Sequence, residues 1–302
     1  MWLLMVLVGV GASFLLLADD PELANKSTLE TIRARGTLIV CSDIPYTPFE
    51  FKDEKGNLVG FDVDLARLMA KFIGVKLDIR ATVFDVIIPE LRKGSCDIII
   101  SGMTRTLERG LQVNFTSDYL ASGQIVAVSK ARKPALKSYG ELNQPGIIIT
   151  VQTGTTGEFA AKANFPKATI KGFDNAELAL QEVVLGRADA IVFDDVFLLV
   201  EFVKFSDKIF LCCPPGKPEK LTAELLGFAI RKGDPDFLTW LDLFVEQTKS
   251  VILINDALAK EFEVNPVYLG KPIHPALVCK WFTEFPARVA KQKADLSACP
   301  GL

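Results

Sequence analysis

The chain has 302 residues, 49% of them hydrophobic and 24% charged, with a formal net charge of -3. That length suits one large core or two moderate ones, at about 100–200 residues per domain, and two lobes fit it better. A slight acidic excess without long like-charge blocks excludes a nucleic-acid protein, whose phosphate contacts need a concentrated basic face. Trp2 to Ala18 is apolar with small residues interspersed, a stretch of roughly 17 that matches a signal-peptide core better than a membrane span of about 20. Residues 1–18 are therefore expected to direct export, either as a signal peptide or, since no Lys or Arg precedes Lys26, as an uncleaved anchor.

From residue 28 onward strand and helix patterns alternate. Thr37–Cys41 is apolar, Phe61–Ile73 has helical spacing, Lys76–Ala81 reads as a strand, Val86–Leu91 as a helix and Asp97–Ser101 as a strand. This is the βαβ rhythm of a mostly parallel sheet. A second series follows Lys130, with a strand at Ile147–Val151, helices at Glu158–Asn164 and Ala176–Leu185, and a strand at Ala188–Phe193. After Lys217 a strand is expected around Leu226–Arg231 and an amphipathic helix over Pro235–Gln247. The connections near Gly123–Ser129 and Leu221–Phe228 would be two strands crossing between lobes, which together make a hinge.

Two stretches, "LRKGSCDIIISG" (91–102) and "VVLGRADAIVFDD" (183–195), share a helix end, a Gly, an Asp three residues later and an apolar strand that ends in polar residues. Gly94 and Gly186 suit helix C-caps, where Gly adopts the left-handed conformation at little cost. In an open α/β sheet ligands sit outside the carboxyl ends of the strands, so Ser101–Thr106 and Asp194–Asp195 mark two candidate binding edges. If the edges face each other they form one cleft. The six cysteines show no CxxC or Cys/His metal spacing, so neither a metal nor a cofactor is expected. Cys41 and Cys96, inside or beside strand-like runs, read as small core residues, with one or two bridges formed after export as the alternative.

Six stretches, "YTPFEF" (46–51), "GFDVDLA" (60–66), "CDIIISGMTRTLER" (96–109), "VNFTSDYLASGQ" (113–124), "VQTGTTGE" (151–158) and "ADAIVFDD" (188–195), carry a resemblance. In this order and spacing, over residues 28 to 250, the chain resembles the polar amino-acid family (family 3) of extracellular solute-binding proteins, which serve ABC importers. The resemblance implies an α/β, two-lobed type II periplasmic-binding-protein fold, each lobe a mostly parallel sheet flanked by helices, joined by a two-strand hinge. Lobe 1 would comprise residues 28–126 and 222–250, lobe 2 residues 127–221, and residues 251–302 a C-terminal extension. It further implies a periplasmic or extracytoplasmic monomer that hands an amino acid to ABC permease subunits.

The same resemblance assigns roles. Arg109 matches the arginine that takes the ligand α-carboxylate, and Thr104 the residue assisting it. Gly102 matches a carbonyl contact to the α-ammonium and Asp194 the acid paired with that ammonium. Thr155 and Thr156 match the lobe 2 contacts to the carboxylate, while Asp43, Tyr46, Phe49 and Phe84 fall where side-chain pockets and aromatic walls are built. Gln152 and Asp43 near the pocket suggest a polar or cationic ligand side chain.

The chemistry stands beside the likeness. A zwitterion needs a fixed cation and a fixed anion, and a guanidinium binds a carboxylate through two parallel N–H bonds. The Gly154-Thr155-Thr156 turn opens a helix whose free N–H groups attract anions. Competing structural readings are a capping box for Thr155 and Glu158, and an N-cap for Asp194 or Asp195. Arg105 is left unassigned, pointing to solvent or to the cleft rim. His274, between prolines, reads as a loop residue. With one late histidine and no P-loop or GxGxxG, a binding protein is expected rather than an enzyme. The alternatives are a cyclohexadienyl (prephenate or arogenate) dehydratase-like lyase, with Glu158 or Asp43 as general acid, and an anchored sensor ectodomain.

Overall fold

The computed structural model describes residues 27–53, 55–133, 135–213 and 218–254. The expected export segment, His274 and residues 255–302 of the expected extension lie outside the described residues.

In chain order the first region holds α1 (Thr28–Arg35), β1 (Thr37–Ser42), the hairpin strands β2 (Phe51–Lys52) and β3 (Leu58–Val59), α2 (Phe61–Ile73), β4 (Lys76–Ala81), α3 (Phe84–Lys93), β5 (Ile98–Ile99), α4 (Leu107–Gly110) and β6 (Asn114–Phe115). β7 (Leu120–Ser122) leads to a second region of β8 (Gln124–Ser129), β9 (Ile148–Gln152), α5 (Thr156–Asn164), β10 (Thr169–Phe173), α6 (Ala176–Val184), β11 (Ala190–Asp194), α7 (Asp195–Phe205) and β12 (Ile209–Cys212). β13 (Glu224–Leu226) returns to the first region, which closes with β14 (Ala229–Ile230) and α8 (Pro235–Ile254).

The first sheet has the order β4-β1-β5-β14-β6, with β4, β1 and β5 parallel and β14 antiparallel to both neighbours. The second has the order β10-β9-β11-β8-β12, with β10, β9 and β11 parallel and β8 antiparallel to β11 and β12. β1, β8, β9 and β11 are near-continuous apolar runs because helices cover both sheet faces. On α2 the apolar spacing puts Phe61, Leu65, Leu68 and Met69 in the core, each less than 5% exposed. The helix stops at Gly74, where a left-handed cap residue lets its N–H return to Ala70 and Lys71 carbonyls.

The crossing pair differs from expectation. β7 and β13 run antiparallel between the sheets, with Glu224 opposite Ser122, whereas residues 124–129 already form a strand of the second sheet. The segment near 226–231 is accordingly split between the crossing strand β13 and the sheet strand β14.

The reading of Cys41 and Cys96 as free core thiols is overturned, because the two are disulfide-bonded. β1 and β5 are neighbouring parallel strands whose register sets Cys41 opposite Ile99, and Cys96, two residues before β5, lies with its Cα 5.7 Å from that of Cys41, within bridging range. The bridge spans 55 residues of chain. By loop-closure entropy, replacing both cysteines by serine is expected to lower unfolding free energy by about 2–4 kcal/mol in urea melts. A difference below about 0.5 kcal/mol, the scale of an ordinary surface substitution, would contradict that role.

Candidate ligand-binding site

The first-sheet edge of the site is the turn that follows β5. Ser42 donates to the Ile100 carbonyl, and the Ser101 hydroxyl accepts the Asp43 N–H at 2.8 Å while donating to Glu50. Gly102 has φ of 50°, and a Cβ there would lie 2.5 Å from Tyr46 Cε1, so the position needs glycine twice over. Its N–H donates to Asp62 at 2.7 Å, and the Tyr119 hydroxyl donates to the same oxygen at 3.0 Å. Glu50 and Asp62 are buried, and each keeps one oxygen, Oε2 and Oδ1, without a hydrogen-bond partner. Burial pushes Asp62 up to about 7, against the two bonds it accepts. Burial and then the neighbouring Asp62 hold Glu50 well above the usual carboxylate range.

Arg109 lies in α4, whose start is capped by the Thr106 hydroxyl accepting the Arg109 N–H at 3.1 Å. This single turn folds the guanidinium back into the protein, where Arg109 is only 8% exposed. It donates to the Thr104 carbonyl at 2.8 Å and, across the cleft, to the Gly154 carbonyl at 3.2 Å. Its charged end lies 5.1 Å from the Phe84 ring centroid. Burial lowers its pKa, opposed by the charges of Glu224 and Asp194. Arg105, left open from sequence, pairs with Asp118 at 3.5 Å and packs its stem over Gly227.

The second-sheet edge is built from the ends of β9 and β11. The Thr155 hydroxyl accepts the Glu158 N–H at 3.3 Å and donates to the Gln152 carbonyl at 2.8 Å, so capping takes up that side chain. Glu158 reaches the Gly154 N–H at 2.7 Å and Lys162 at 2.6 Å. Burial would raise Glu158, but those two contacts outweigh it and its pKa is lowered. Asp194 occupies the N-cap position of α7 yet makes no capping bond. Its carboxylate instead accepts from the Tyr46 hydroxyl and from Gln124 Nε2. Burial and then the Glu224 charge push Asp194 up to about 7.

All ten sequence-predicted site residues, Asp43, Tyr46, Phe84, Gly102, Thr104, Arg109, Gln152, Thr155, Thr156 and Asp194, line one cavity together with Phe193. The cavity is small, about 10 Å³, because the two edges are closed upon each other. Gln152 donates to Asp43 and Tyr46 to Asp194 across the cleft. Burial pushes Asp43 up to about 7, eased by Gln152 and reinforced by the Asp85 charge. A larger cavity of about 270 Å³ adjoins it beyond Arg109 and Phe84, reaching Phe159. Phe49 does not reach the site, since it is buried against Tyr46 and Phe61 in the core.

Sequence reasoning missed Glu224 and Gln124. Glu224 Oε2 accepts from Thr104 at 2.6 Å and Thr156 at 2.9 Å, and Gln124 Nε2 lies 3.3 Å from the same oxygen. The available signal was a polar residue beside an apolar run at or next to each crossing strand, Gln124 in "SGQIVAV" and Glu224 in "TAELLG". Among the described residues no group of three or more His, Cys, Asp or Glu is placed to hold a metal, and no helix is long and apolar enough to cross a membrane.

Residues 38–261 match the bacterial extracellular solute-binding proteins, family 3, and the chain belongs to that family. A crystal structure of the ancestral amino acid-binding protein AncCDT-1, a precursor of cyclohexadienyl dehydratase, is 43% identical, covers 78% of this chain and 97% of its own, and superposes with a TM-score of 0.69. AncCDT-1 is also described as an ancestral cationic amino acid solute-binding protein. The ABC transporter arginine-binding protein 1 of Escherichia coli is 29% identical over 65% of this chain and 79% of its own. The cyclohexadienyl dehydratase of Pseudomonas aeruginosa is 32% identical over 63% of this chain and 71% of its own. The fold is that of type II periplasmic binding proteins.

The buried acids beneath the turn give a test. Asp62, raised from 3.8 to about 7, keeps a proton in the folded chain that the unfolded chain releases above about pH 4. This group therefore costs stability progressively as pH rises from about 4 to 7. Asp62→Asn, which removes the titration, is expected to gain melting temperature relative to wild type between pH 5 and pH 8. A Tm difference that does not change with pH would contradict the assignment.

Proposed function

We propose that this protein captures an amino acid with a cationic side chain in the interlobe cleft and delivers it, as a monomer outside the cytoplasm, to the permease subunits of an ABC transporter. The observation that carries the reading is the pairing of one buried guanidinium, Arg109, from the first lobe with one buried carboxylate, Asp194, from the second, around a single cavity. Arg109 takes the ligand α-carboxylate, together with N–H groups at the α5 start. Asp194 and the Gly102 carbonyl take the α-ammonium. Tyr46 and Phe84 wall the ligand, and Asp43 with Gln152 meets its side chain. Two carboxylates, those of Asp43 and Asp194, line the cavity with one guanidinium, and the Glu224 charge acts on both Arg109 and Asp194, so a ligand whose main chain is neutral leaves negative charge for a cationic side chain to offset. The relatives named for arginine and for cationic amino acids support the same choice. Because the two charges come from different lobes, a zwitterion binds the closed form better than the open one and shifts the population toward it.

Thermal-shift screening of the standard amino acids is expected to single out the basic ones, since a ligand bound only by the native state adds RT ln(1 + [L]/Kd) to stability. No shift with any amino acid would end the proposal. Arg109→Ala is expected to weaken binding by about 1.5–3 kcal/mol, the scale of a charged hydrogen bond, by calorimetry. Binding also has a predictable pH dependence. Asp43 and Asp194 sit at about 7 without ligand and must be ionised to hold cations, so affinity rises between pH 5 and 7 and levels off above. The slope approaches about tenfold per pH unit for each group. Affinity that falls over that range would contradict the roles of both.

The second reading is a dehydratase-like lyase, with Asp43, at about 7 in the cleft, supplying the proton. Glu158 does not suit that role, being lowered in pKa and engaged with Lys162 and the Gly154 N–H. Aromatic product formed from prephenate or arogenate would establish this reading over the binding protein.

A further inference from the structure

Glu224 belongs to neither lobe's sheet. It sits on β13, one of the two crossing strands, is 7% exposed, and lies behind two threonines that line the cleft. Its Oε1 accepts the Thr222 hydroxyl at 2.7 Å, while its Oε2 accepts the Thr104 hydroxyl from one lobe at 2.6 Å and the Thr156 hydroxyl from the other at 2.9 Å. A threonine hydroxyl carries one proton, and an ionised carboxylate only accepts. The proton directions in this part of the site are therefore fixed. Thr104 and Thr156 both point their hydrogens at Glu224, away from the cavity they line. Thr156 Oγ1 then accepts Gln124 Nε2 at 3.1 Å, and with both hydroxyl protons on Glu224 the 3.4 Å approach of the Thr104 and Thr156 oxygens carries no proton, so the Thr104 oxygen keeps its lone pairs for another donor. Gln124 Nε2 in turn donates to Asp194, so one amide ties Glu224's surroundings to the second acid.

We infer that Glu224 is a positioning residue of the cleft, holding the Thr104 and Thr156 hydroxyls as donors to itself so that the Thr104 oxygen is left to accept from an ammonium, rather than to assist Arg109 with the carboxylate as the resemblance implies. The inference rests on the amino-acid reading above and deepens it. Without the Glu224 charge, the two hydroxyls would be free to donate, and the site could hold a carboxylate at either end. With it, the ligand enters in one orientation only. The position on a crossing strand adds a further consequence. The carboxylate can hold both hydroxyls at once only when the two lobes approach, so the acceptor polarity is complete only in the closed form.

The test compares two ligands on two proteins by calorimetry at pH 7.5. One ligand is the basic amino acid that gives the largest thermal shift, and the other is the same molecule with hydrogen in place of the α-ammonium. Glu224→Gln is expected to weaken the amino acid at least tenfold while changing the des-amino analogue by less than about threefold. Equal weakening of both ligands would mean a purely structural role and would overturn the inference, as would no change in either. If Glu224→Gln shows no cooperative melt, Thr104→Val carries the test by the same criterion, since it removes the acceptor oxygen with little change in volume. Wild-type protein that binds no amino acid would overturn the functional reading, and this inference with it. Wild-type binding with an equal or absent effect in the variants overturns this inference alone.

Discussion

Two opposite charges withdrawn from water, on two lobes that face each other across a cleft, set the terms for the rest of this structure. Moving an ion into a low-dielectric interior costs several kcal/mol even after relaxation, so neither Arg109 nor Asp194 would sit where it does without help. Arg109 is surrounded by carbonyls and an aromatic face, and Asp194 by a phenol and an amide, which are neutral dipoles that soften the cost without cancelling the charge. Each is also stabilised or strained by its charged neighbours, with Glu224 and Asp194 favouring the guanidinium while Glu224 disfavours the Asp194 carboxylate. A ligand bearing both signs answers both needs at once. On the proposed reading, closure around it exchanges partial compensation for full pairing and gives the cleft its selectivity for a zwitterion.

The fold supplies rigid seats for those charges. The Gly102 turn is held from below by Asp62 and Tyr119 and from the side by Ser101, so the strand end that presents Gly102 and Thr104 has little freedom. The α4 turn that carries Arg109 is short but is tied to Thr106 and to the Thr104 carbonyl. On the opposite lobe, α5 begins with its cap satisfied internally, and Asp194 is left uncapped and turned to the cleft. Between the two, β7 and β13 form a short antiparallel pair that gives the lobes one narrow path of connection. A hinge of this kind converts ligand charge into lobe position, the property a transporter can read.

Much of this was legible from the chain. The α2 helix follows from the apolar spacing over Phe61–Ile73, whereas Arg109 taken alone reads equally as a solvated charge paired with Glu108 and is singled out by the resemblance. The strand-end rule marks Ser101–Thr106 and Asp194–Asp195, and the other predicted site residues rest on the resemblance. What was hidden depended on three-dimensional register. The bridge between Cys41 and Cys96 requires β1 and β5 to be neighbours and the chain before β5 to bring Cys96 beside Cys41, and spacing along the chain does not carry that. The crossing strand lies earlier than the expected Gly123–Ser129, at Leu120–Ser122, because the apolar run 124–129 pairs within the second sheet, which only the pairing reveals. Glu224 was invisible for a related reason, since one acid in an apolar segment reads as an exposed side chain until the partner residues, 68 and 120 positions away, are brought to it.

That the two lobes hold opposite ends of one zwitterion is tested most directly by a crystal structure of the protein with a bound basic amino acid. The α-carboxylate is expected within hydrogen-bond distance of the Arg109 guanidinium and the α-ammonium within that of Asp194 and the Gly102 carbonyl. A ligand bound in the reverse orientation, or in the cavity beyond Phe84 with no contact to Asp194, would contradict it.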